Sequence, residues 1–273
     1  MNVIKFKSIR TSLIFLVLLI FIPLLALVFH SALQYKLSIQ QFASENALRV
    51  ARNLAEQQKL IENNTLQFLE VLSQLPEIKS GDSTRINNLL GSLLRQNHSY
   101  ASLLLVNTKG DIIAAGLPYV KINVSDRKYF QDVMRTKSFS IGEYARSRLT
   151  WKPVIHYAYP VMFKDGTIQS ILIVSFDLKY YDEIFKESNL GDDASFTLMD
   201  HRGIILYQSA NLINEIGLRE KQKIINKINR QTTESTFLAT GNDSIRRLYE
   251  IPGLENRRKG VQPRHRFVHF SWE

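Results

Sequence analysis

VIHYAYPVMFKDGTIQSILIVSFDL, at residues 154–178, decides the fold of this chain. Two apolar runs, residues 154–163 and 167–176, flank the turn Lys164-Asp165-Gly166. An Asp-Gly pair between two apolar runs is the strongest short-range signal for a β-hairpin, because glycine readily takes the positive φ that a tight turn requires. The stretch therefore predicts two long antiparallel strands.

A second hairpin and a short helix lie upstream of these strands. The runs SLLLV (102–106) and DIIAA (111–115) flank a turn that ends in Gly110, which again predicts a hairpin. DRKYFQDVMRT reads as a helix capped by Ser125 or Asp126, residues 139–145 read as a strand, and Ser83 caps a further amphipathic helix. One antiparallel sheet with helices on one side accounts for these elements, so the expected fold class is α+β.

The N-terminal segment carries the signal of a membrane anchor. Residues 13–29, LIFLVLLIFIPLLALVF, hold no charge, and a bilayer is spanned by about 20 apolar residues. This predicts a cytoplasmic N-terminus at residues 1–10 and a transmembrane helix at residues 11–30. Cationic flanks stay in the cytoplasm, and the preceding residues Lys5, Lys7 and Arg10 therefore place the rest of the chain outside it. A cleavable signal peptide is the alternative, although its apolar run is usually about 7–15 residues long.

Residues 31–75 read as a long amphipathic stalk helix, since they contain no proline and their apolar residues recur at helical spacing. Such a stripe either pairs with a second copy in a homodimer or packs on its own domain, and the sequence leaves both open.

The pattern restarts in the second half of the chain. SFTLMD (195–200), a turn ending at Gly203, and IILYQS (204–209) repeat the order of strand, turn and strand seen at 102–115. We predict two related modules, at residues 76–178 and 179–254, with the second incomplete; a chance similarity of two hairpins is the alternative. Residues 255–273 read as a basic, aperiodic tail, which is either a genuine exposed end or the product of truncation or a frame shift.

Composition excludes several functions. The chain has no cysteine, so a disulfide framework, a thiolate zinc site and a cysteine nucleophile are ruled out. Its histidines lack metal-ligand spacing, and there is no phosphate-binding glycine loop and no G-x-S-x-G motif. We expect no catalytic site, no metal and no cofactor. The net charge of +10 lies partly in the tail and does not indicate a nucleic-acid partner.

Taken in order, these features resemble the double Cache (PAS-like) sensor ectodomains of bacterial histidine kinases, diguanylate cyclases and chemoreceptors. The resemblance is carried by TKGDII, SDRKYFQDVM, IGEYARSRLTWKPVIHYAYPV and KDGTIQSILIVSFDL. It implies two PAS-like (Cache) modules with antiparallel sheets in the periplasm, held by one span in the bacterial inner membrane. It also implies a small ligand in the membrane-distal module, and an output domain on another segment.

The resemblance implies ligand-binding roles for Arg127, Tyr129 and Asp177. A guanidinium meets a carboxylate through two parallel hydrogen bonds, and an opposite carboxylate holds an amine, so the expected ligand is a small carboxylate or an amino-acid-like zwitterion. Amino-acid binders of the family carry the pattern R-x-W-Y. Here the run is Arg127-Lys128-Tyr129-Phe130, which lacks the second hydroxyl. Alternatively, Arg127 and Asp177 pair with each other or cap helices.

Tyr144 and Tyr157 are further candidate pocket walls, since tyrosine offers an apolar face with a polar tip. Tyrosines on strands are more often part of a core, and strand alternation puts His156 and Tyr157 on opposite faces. The alternative function is a ligand-free envelope scaffold or adhesion protein anchored by one transmembrane helix.

Overall fold

The computed structural model describes residues 9–187, 194–200, 202–208, 216–230, 235–240, 246–251 and 265–272. The chain divides into two compact units, residues 1–47 and 48–273. One long helix, α1 (Ile9–Gln74), is followed by α2 (Pro76–Lys79) and α3 (Ser83–Gln96). The predicted transmembrane and stalk segments thus lie on one continuous helix, which ends at Gln74, next to the expected end at residue 75. Pro76 follows and cannot continue the helix.

The first unit exposes large apolar side chains along α1. The most exposed between residues 13 and 30 are Leu13, Ile22, Leu27 and Phe29, each at 60–68% of full exposure. Within the described residues, no helix combines the length and the apolar character needed to cross a bilayer.

A five-stranded antiparallel sheet is the centre of the second unit. Its strands are β1 (Tyr100–Val106), β2 (Ile112–Ala115), β3 (Ser140–Arg146), β4 (Pro153–Met162) and β5 (Ile168–Asp177). They lie in the order β2-β1-β5-β4-β3. Both predicted hairpins are confirmed, with Gly110 at φ +86° and Gly166 at φ +78°.

The two faces of this sheet are covered by different elements. On one face, helix α4 (Lys128–Thr136) and the segment before it cover the sheet, and Val124, Phe130 and Val133 join an apolar cluster there. On the other face lies the C-terminal part of α1, where Thr65 contacts the Tyr100 hydroxyl at 3.2 Å. The expectation of helices on one side only was wrong, because α4 lies opposite α1.

Two predicted helix caps were also wrong. The carboxylate of Asp82, rather than Ser83, caps α3 by accepting hydrogen bonds from the backbone N–H groups of Thr84 and Arg85. At α4 the capping position is Arg127, and its side chain does not cap the helix. Asp126 is bound instead to Arg148, so its carboxylate is turned to a partner distant in sequence.

The second half of the chain continues from a 3-10 turn (Leu178–Tyr180) into α5 (Tyr181–Glu187). The later elements are β6 (Ala194–Asp200), β7 (Ile205–Gln208), α6 (Gln222–Arg230), β8 (Ser235–Thr240), β9 (Arg246–Ile251) and β10 (His265–Trp272). They form a three-stranded sheet, β10-β6-β7, and the pair β8-β9. The predicted hairpin at 195–209 is present as β6 and β7, with Gly203 at φ +78°.

Strand β10 falls within the segment expected to be an aperiodic tail, and it pairs antiparallel with β6. Val268, Phe270 and Trp272 alternate with polar or basic residues in part of this run, which is the period of a strand with one apolar side. This alternation is short and follows a run of basic residues, so the sequence did not lead us to predict a strand here. Residues 252–264 lie outside the described part of the chain.

Candidate functional site

A small cavity lies between the five-stranded sheet and helix α4. It has a volume of about 10 Å³, and its lining includes Arg127, Tyr129, Arg148 and His156 together with apolar residues such as Leu104 and Val124. We call it the Arg127 cavity. A single water needs about 10–15 Å³ of such volume, so the cavity has room for about one water.

Arg127 stands at the entrance of α4 in extended backbone conformation. It is half-buried, and its guanidinium makes no hydrogen bond or ion pair with any residue that the structure describes. A guanidinium carries five donors. An unpaired one beside a cavity is therefore ready to receive an acceptor that comes from outside the chain.

The aromatic rings of Tyr129 and His156 form one wall of this cavity. They stack with their centroids 4.7 Å apart and their planes 18° from parallel. The ring of Tyr129 packs closely against Gly142 of β3, because a Cβ at residue 142 would lie 3.0 Å from that ring. Burial raises the pKa of Tyr129, so its hydroxyl stays protonated.

His156 is neutral in the folded protein. Burial, followed by the positive charges of Arg127 and Arg148, lowers the pKa of His156 to about 3. Its Nδ1 is buried and has no hydrogen-bond partner among the described residues. The imidazole thus offers a polar atom beside the cavity and adds no positive charge there.

Arg148 closes the cavity from the side of the β3–β4 connection. Its Nη1 and Nη2 each donate to a carboxylate oxygen of Asp126 at 2.7 Å, and Nη1 also donates to the carbonyl oxygen of Asn123 at 2.6 Å. The hydrogen bond from Arg148 lowers the pKa of Asp126. The guanidinium therefore joins the β3–β4 connection to the segment that leads into α4.

The β3–β4 connection is itself tightly wound. The N–H of Ser147 donates to the carbonyl of Lys152 at 2.9 Å, and the N–H of Trp151 donates to the carbonyl of Ser147 at 2.9 Å. Trp151 has a φ of +59°, which is strained for a bulky residue, and its side chain is 74% exposed. The closed turn holds Arg148 over the cavity.

The structure brings together two of the five residues proposed from the sequence, Arg127 and Tyr129. Tyr157 lies on the opposite face of the sheet, toward Gln58 and Glu62 of α1. Tyr144 packs its ring and hydroxyl against Gly217.

Asp177 is engaged elsewhere. One of its oxygens accepts a hydrogen bond from Lys152 Nζ at 2.6 Å, and the other accepts from the N–H of Lys179 at 3.0 Å. It therefore caps the 3-10 turn and forms an ion pair with a lysine. The capping role is one of the alternatives that the sequence left open for Asp177. Arg148 and His156 also line the cavity, and the sequence had not predicted a role for either of them there.

Replacing His156 with leucine should make the free energy of unfolding depend less on pH under acidic conditions. The folded-state pKa lies below the unfolded value of about 6.5, so the unfolded chain binds a proton that the folded chain does not, and stability falls as pH drops from about 6.5 toward 3. For the unsubstituted protein this contribution is about 2 kcal/mol between pH 7.5 and pH 5.

The measurement is chemical denaturation of the full chain at both pH values, followed by tryptophan fluorescence. His98→Leu removes an exposed histidine and should leave the pH dependence unchanged. An equal loss of stability at pH 5 with and without His156 would contradict the assignment.

The comparisons with known proteins agree on one family. A family model described as Cache domain, dCache_1, matches residues 32–257. No curated protein matches the sequence significantly. Sensor domains of histidine kinases, chemoreceptors and GGDEF proteins are among the structures with the same fold.

Three solved structures illustrate the likeness. The periplasmic sensory domain of the Campylobacter jejuni chemoreceptor Tlp1 shares 11% identity at a TM-score of 0.65, over 86% of this chain and 96% of that one. The ligand-binding domain of the Pseudomonas fluorescens chemoreceptor CtaA, in complex with L-isoleucine, shares 12% identity at a TM-score of 0.62, over 88% and 95%. An extracellular ligand binding receptor from Desulfohalobium retbaense shares 15% identity at a TM-score of 0.57, over 80% of this chain but 39% of that one.

Proposed function

The chain belongs to the Cache domain family, and from this premise we propose that it is the extracytoplasmic sensing part of a transmembrane signalling receptor. Its ligand is a small carboxylate or amino-acid-like molecule, and it binds in the Arg127 cavity. Cache sensor domains are non-catalytic, so the response is made by an output domain such as a kinase or a cyclase.

The unpaired guanidinium of Arg127 is the observation that carries this proposal. Leaving a half-buried charge without a partner is costly, whereas a carboxylate bound through two parallel hydrogen bonds satisfies the geometry of the fork. Arg148 is already bound to Asp126 and His156 is neutral. Arg127 is thus the group in this lining that supplies a free positive charge to an anion.

The surroundings of Asp177 favour a carboxylate without an amine. A zwitterionic ligand needs an acceptor for its ammonium group, and in this fold Asp177 already binds Lys152 at 2.6 Å. An amino acid such as the L-isoleucine bound by the Pseudomonas fluorescens chemoreceptor would have to displace that lysine. We therefore expect an amino acid to bind more weakly than a carboxylate that has no amine.

Binding and conformational change are coupled by the size of the cavity. About 10 Å³ holds roughly one water, so a carboxylate enters only when the lining moves apart. A ligand shifts the balance between closed and open arrangements by its difference in affinity for the two. In this proposal the β3–β4 connection moves, because release of the hydrogen bonds from Arg148 to Asn123 and Asp126 would free it from the segment before α4.

The location follows from the N-terminal segment. The uncharged run at residues 13–29 and the exposure of Leu27 and Phe29 support a single transmembrane anchor at residues 11–30. With Lys5, Lys7 and Arg10 inside, the remainder lies in the periplasm of a bacterial cell. In this arrangement residues 31–75 are the stalk, 76–178 the membrane-distal module and 179–254 the membrane-proximal module, and the stalk is also the proposed homodimer contact.

A thermal-shift screen tests this function. The full chain in lipid nanodiscs is heated with small carboxylates, dicarboxylates and amino acids, one at a time. A ligand at a hundred times its dissociation constant stabilises the folded state by about 2.7 kcal/mol, which is readily seen as a higher melting temperature. If no carboxylate or amino acid raises the melting temperature, the sensor proposal fails and the scaffold alternative takes its place.

A further inference from the structure

A second, larger cavity lies on the opposite face of the same sheet, and the proposed function does not use it. It has a volume of about 350 Å³ and lies between the C-terminal part of α1, the start of β1, and the 3-10 turn and α5 that follow β5. Ligand pockets usually measure about 300–1,000 Å³. We call it the Asn64 cavity.

The lining of the Asn64 cavity has an unusual composition. Among the residues that the structure describes, no charged side chain lines it. Amide and hydroxyl groups supply its polar part, from Gln57, Asn64, Thr65, Asn97, Ser99 and Tyr100. An ionic ligand would find no counter-charge in this lining, so the lining favours neutral ligands over charged ones.

Some of these polar groups are already used and others are available. The hydroxyls of Thr65 and Tyr100 share a hydrogen bond at 3.2 Å, and Asn97 Nδ2 donates to the carbonyl of Leu93 at 2.7 Å. The amides of Gln57 and Asn64 make no side-chain hydrogen bond with the described residues. They stand seven residues apart on α1, and therefore on the same side of the helix two turns from each other.

Aromatic rings form about half of the apolar part of the cavity, and the aliphatic side chains of Leu60, Ile61 and Ile184 form the rest. Tyr100, Phe176 and Tyr180 line it, and Phe176 and Tyr180 meet edge to face with centroids 5.9 Å apart. An amide presents a donor and an acceptor side by side, which matches two neighbouring hydroxyl groups, while an aromatic ring packs against C–H groups. The combination suits a molecule with hydroxyls on its rim and an apolar face.

We propose that the Asn64 cavity is a second binding site, for a neutral polyhydroxylated molecule of about the size of a monosaccharide. Asn64 and Gln57 bind hydroxyl groups of this ligand, and the aromatic side chains pack against its ring. The site is separate from the Arg127 cavity, because the two lie on opposite faces of the sheet. Its occupant contacts both α1 and the segment that joins the two halves of the second unit.

Isothermal titration calorimetry of the full chain tests the proposal. The protein is held in lipid nanodiscs, since many detergents carry sugar head groups. The neutral probes are glucose, galactose and myo-inositol, and the matched acids are glucuronate for glucose and galacturonate for galactose. At least one neutral probe should bind in a one-to-one ratio. The matched acid should bind at least about tenfold more weakly, because the described lining has no positively charged side chain to pair with its carboxylate.

Matched variants locate the site. Asn64→Leu should weaken the neutral probe by about tenfold or more, whereas Asn63→Leu, one residue away on α1 and outside the lining, should leave its affinity unchanged. Arg127→Ala should also leave it unchanged. The absence of binding by every neutral probe at millimolar concentration overturns the proposal, as does a loss of binding in Arg127→Ala.

Discussion

Arg127→Ala should abolish the ligand-induced rise in melting temperature while the protein stays folded. A hydrogen bond to a charged group contributes about 1.5–3 kcal/mol, so the loss of a two-bond contact should lower the affinity for a carboxylate by about a hundredfold or more. Folding should be spared, because the guanidinium of Arg127 has no partner among the described residues. The measurement is the dissociation constant of the best ligand from the screen.

Two controls make this result specific. Arg146→Ala removes an exposed guanidinium at the end of β3 and should leave the affinity unchanged. Arg127→Lys keeps the charge but loses the planar fork, and should give an intermediate affinity. Retention of the full thermal shift by Arg127→Ala would remove Arg127 from the site while leaving the family assignment intact.

Gly110→Ala should destabilise the protein by more than the conformational cost of alanine at a positive φ alone. The backbone there has a φ of +86°, and a Cβ would lie 2.6 Å from the backbone nitrogen of Ser125. The left-handed conformation costs alanine about 1–2 kcal/mol and overpacking about 1–3 kcal/mol more. We therefore expect a decrease of about 2–5 kcal/mol in the free energy of unfolding, measured by chemical denaturation.

Gly166→Ala is the matched control. It has nearly the same φ, +78°, at the end of the other hairpin, but nothing lies within 4 Å of the position of its Cβ. It should therefore show the conformational cost alone. Equal losses of stability for the two variants would mean that the segment before Ser125 shifts to make room for the Cβ. The close packing between residue 110 and Ser125 would then contribute nothing to the loss.

The Gly110 variant should weaken ligand binding as well. The carbonyl of Gly110 accepts a hydrogen bond from the N–H of Val124 at 2.9 Å, and the carbonyl of Lys109 accepts one from Asn123 Nδ2 at 2.9 Å. These bonds hold the segment that forms the wall of the Arg127 cavity next to α4. The tip of one hairpin thus supports the wall of the candidate site.

The strands of the sheet could be predicted because their signals are local. Asp165-Gly166 and Gly110 set the two hairpins through turn chemistry that acts over four residues, and both take the positive φ that this chemistry requires. Long apolar runs then set the strands on either side. No contact between distant parts of the chain was needed for these predictions.

The candidate site depends on contacts between residues that are far apart in the sequence, and it was therefore predicted less completely than the strands. Alternation separated His156 from Tyr157 but did not say which face α4 would cover, and α4 covers the His156 face. Asp177 meets Lys152 across 25 residues of sequence, and Arg148 meets Asp126 across 22 residues. Such pairs follow from the folded arrangement of loops, which the spacing of charges in the sequence does not encode.

Consecutive residues of β4 contact opposite layers of the molecule. The ring of His156 borders the Arg127 cavity, whereas Tyr157 faces α1, close to where the Tyr181 hydroxyl donates to Gln58 Oε1. β4 is paired with a neighbour on each side, so a ligand that displaced His156 and the backbone of this strand would also displace Tyr157 toward the helix. The Tyr157 hydroxyl is fully buried beside Gln58 of α1, so such a movement would bear directly on a side chain of that helix. Occupancy of the proposed site on one side of the sheet would thereby be felt as pressure on the other.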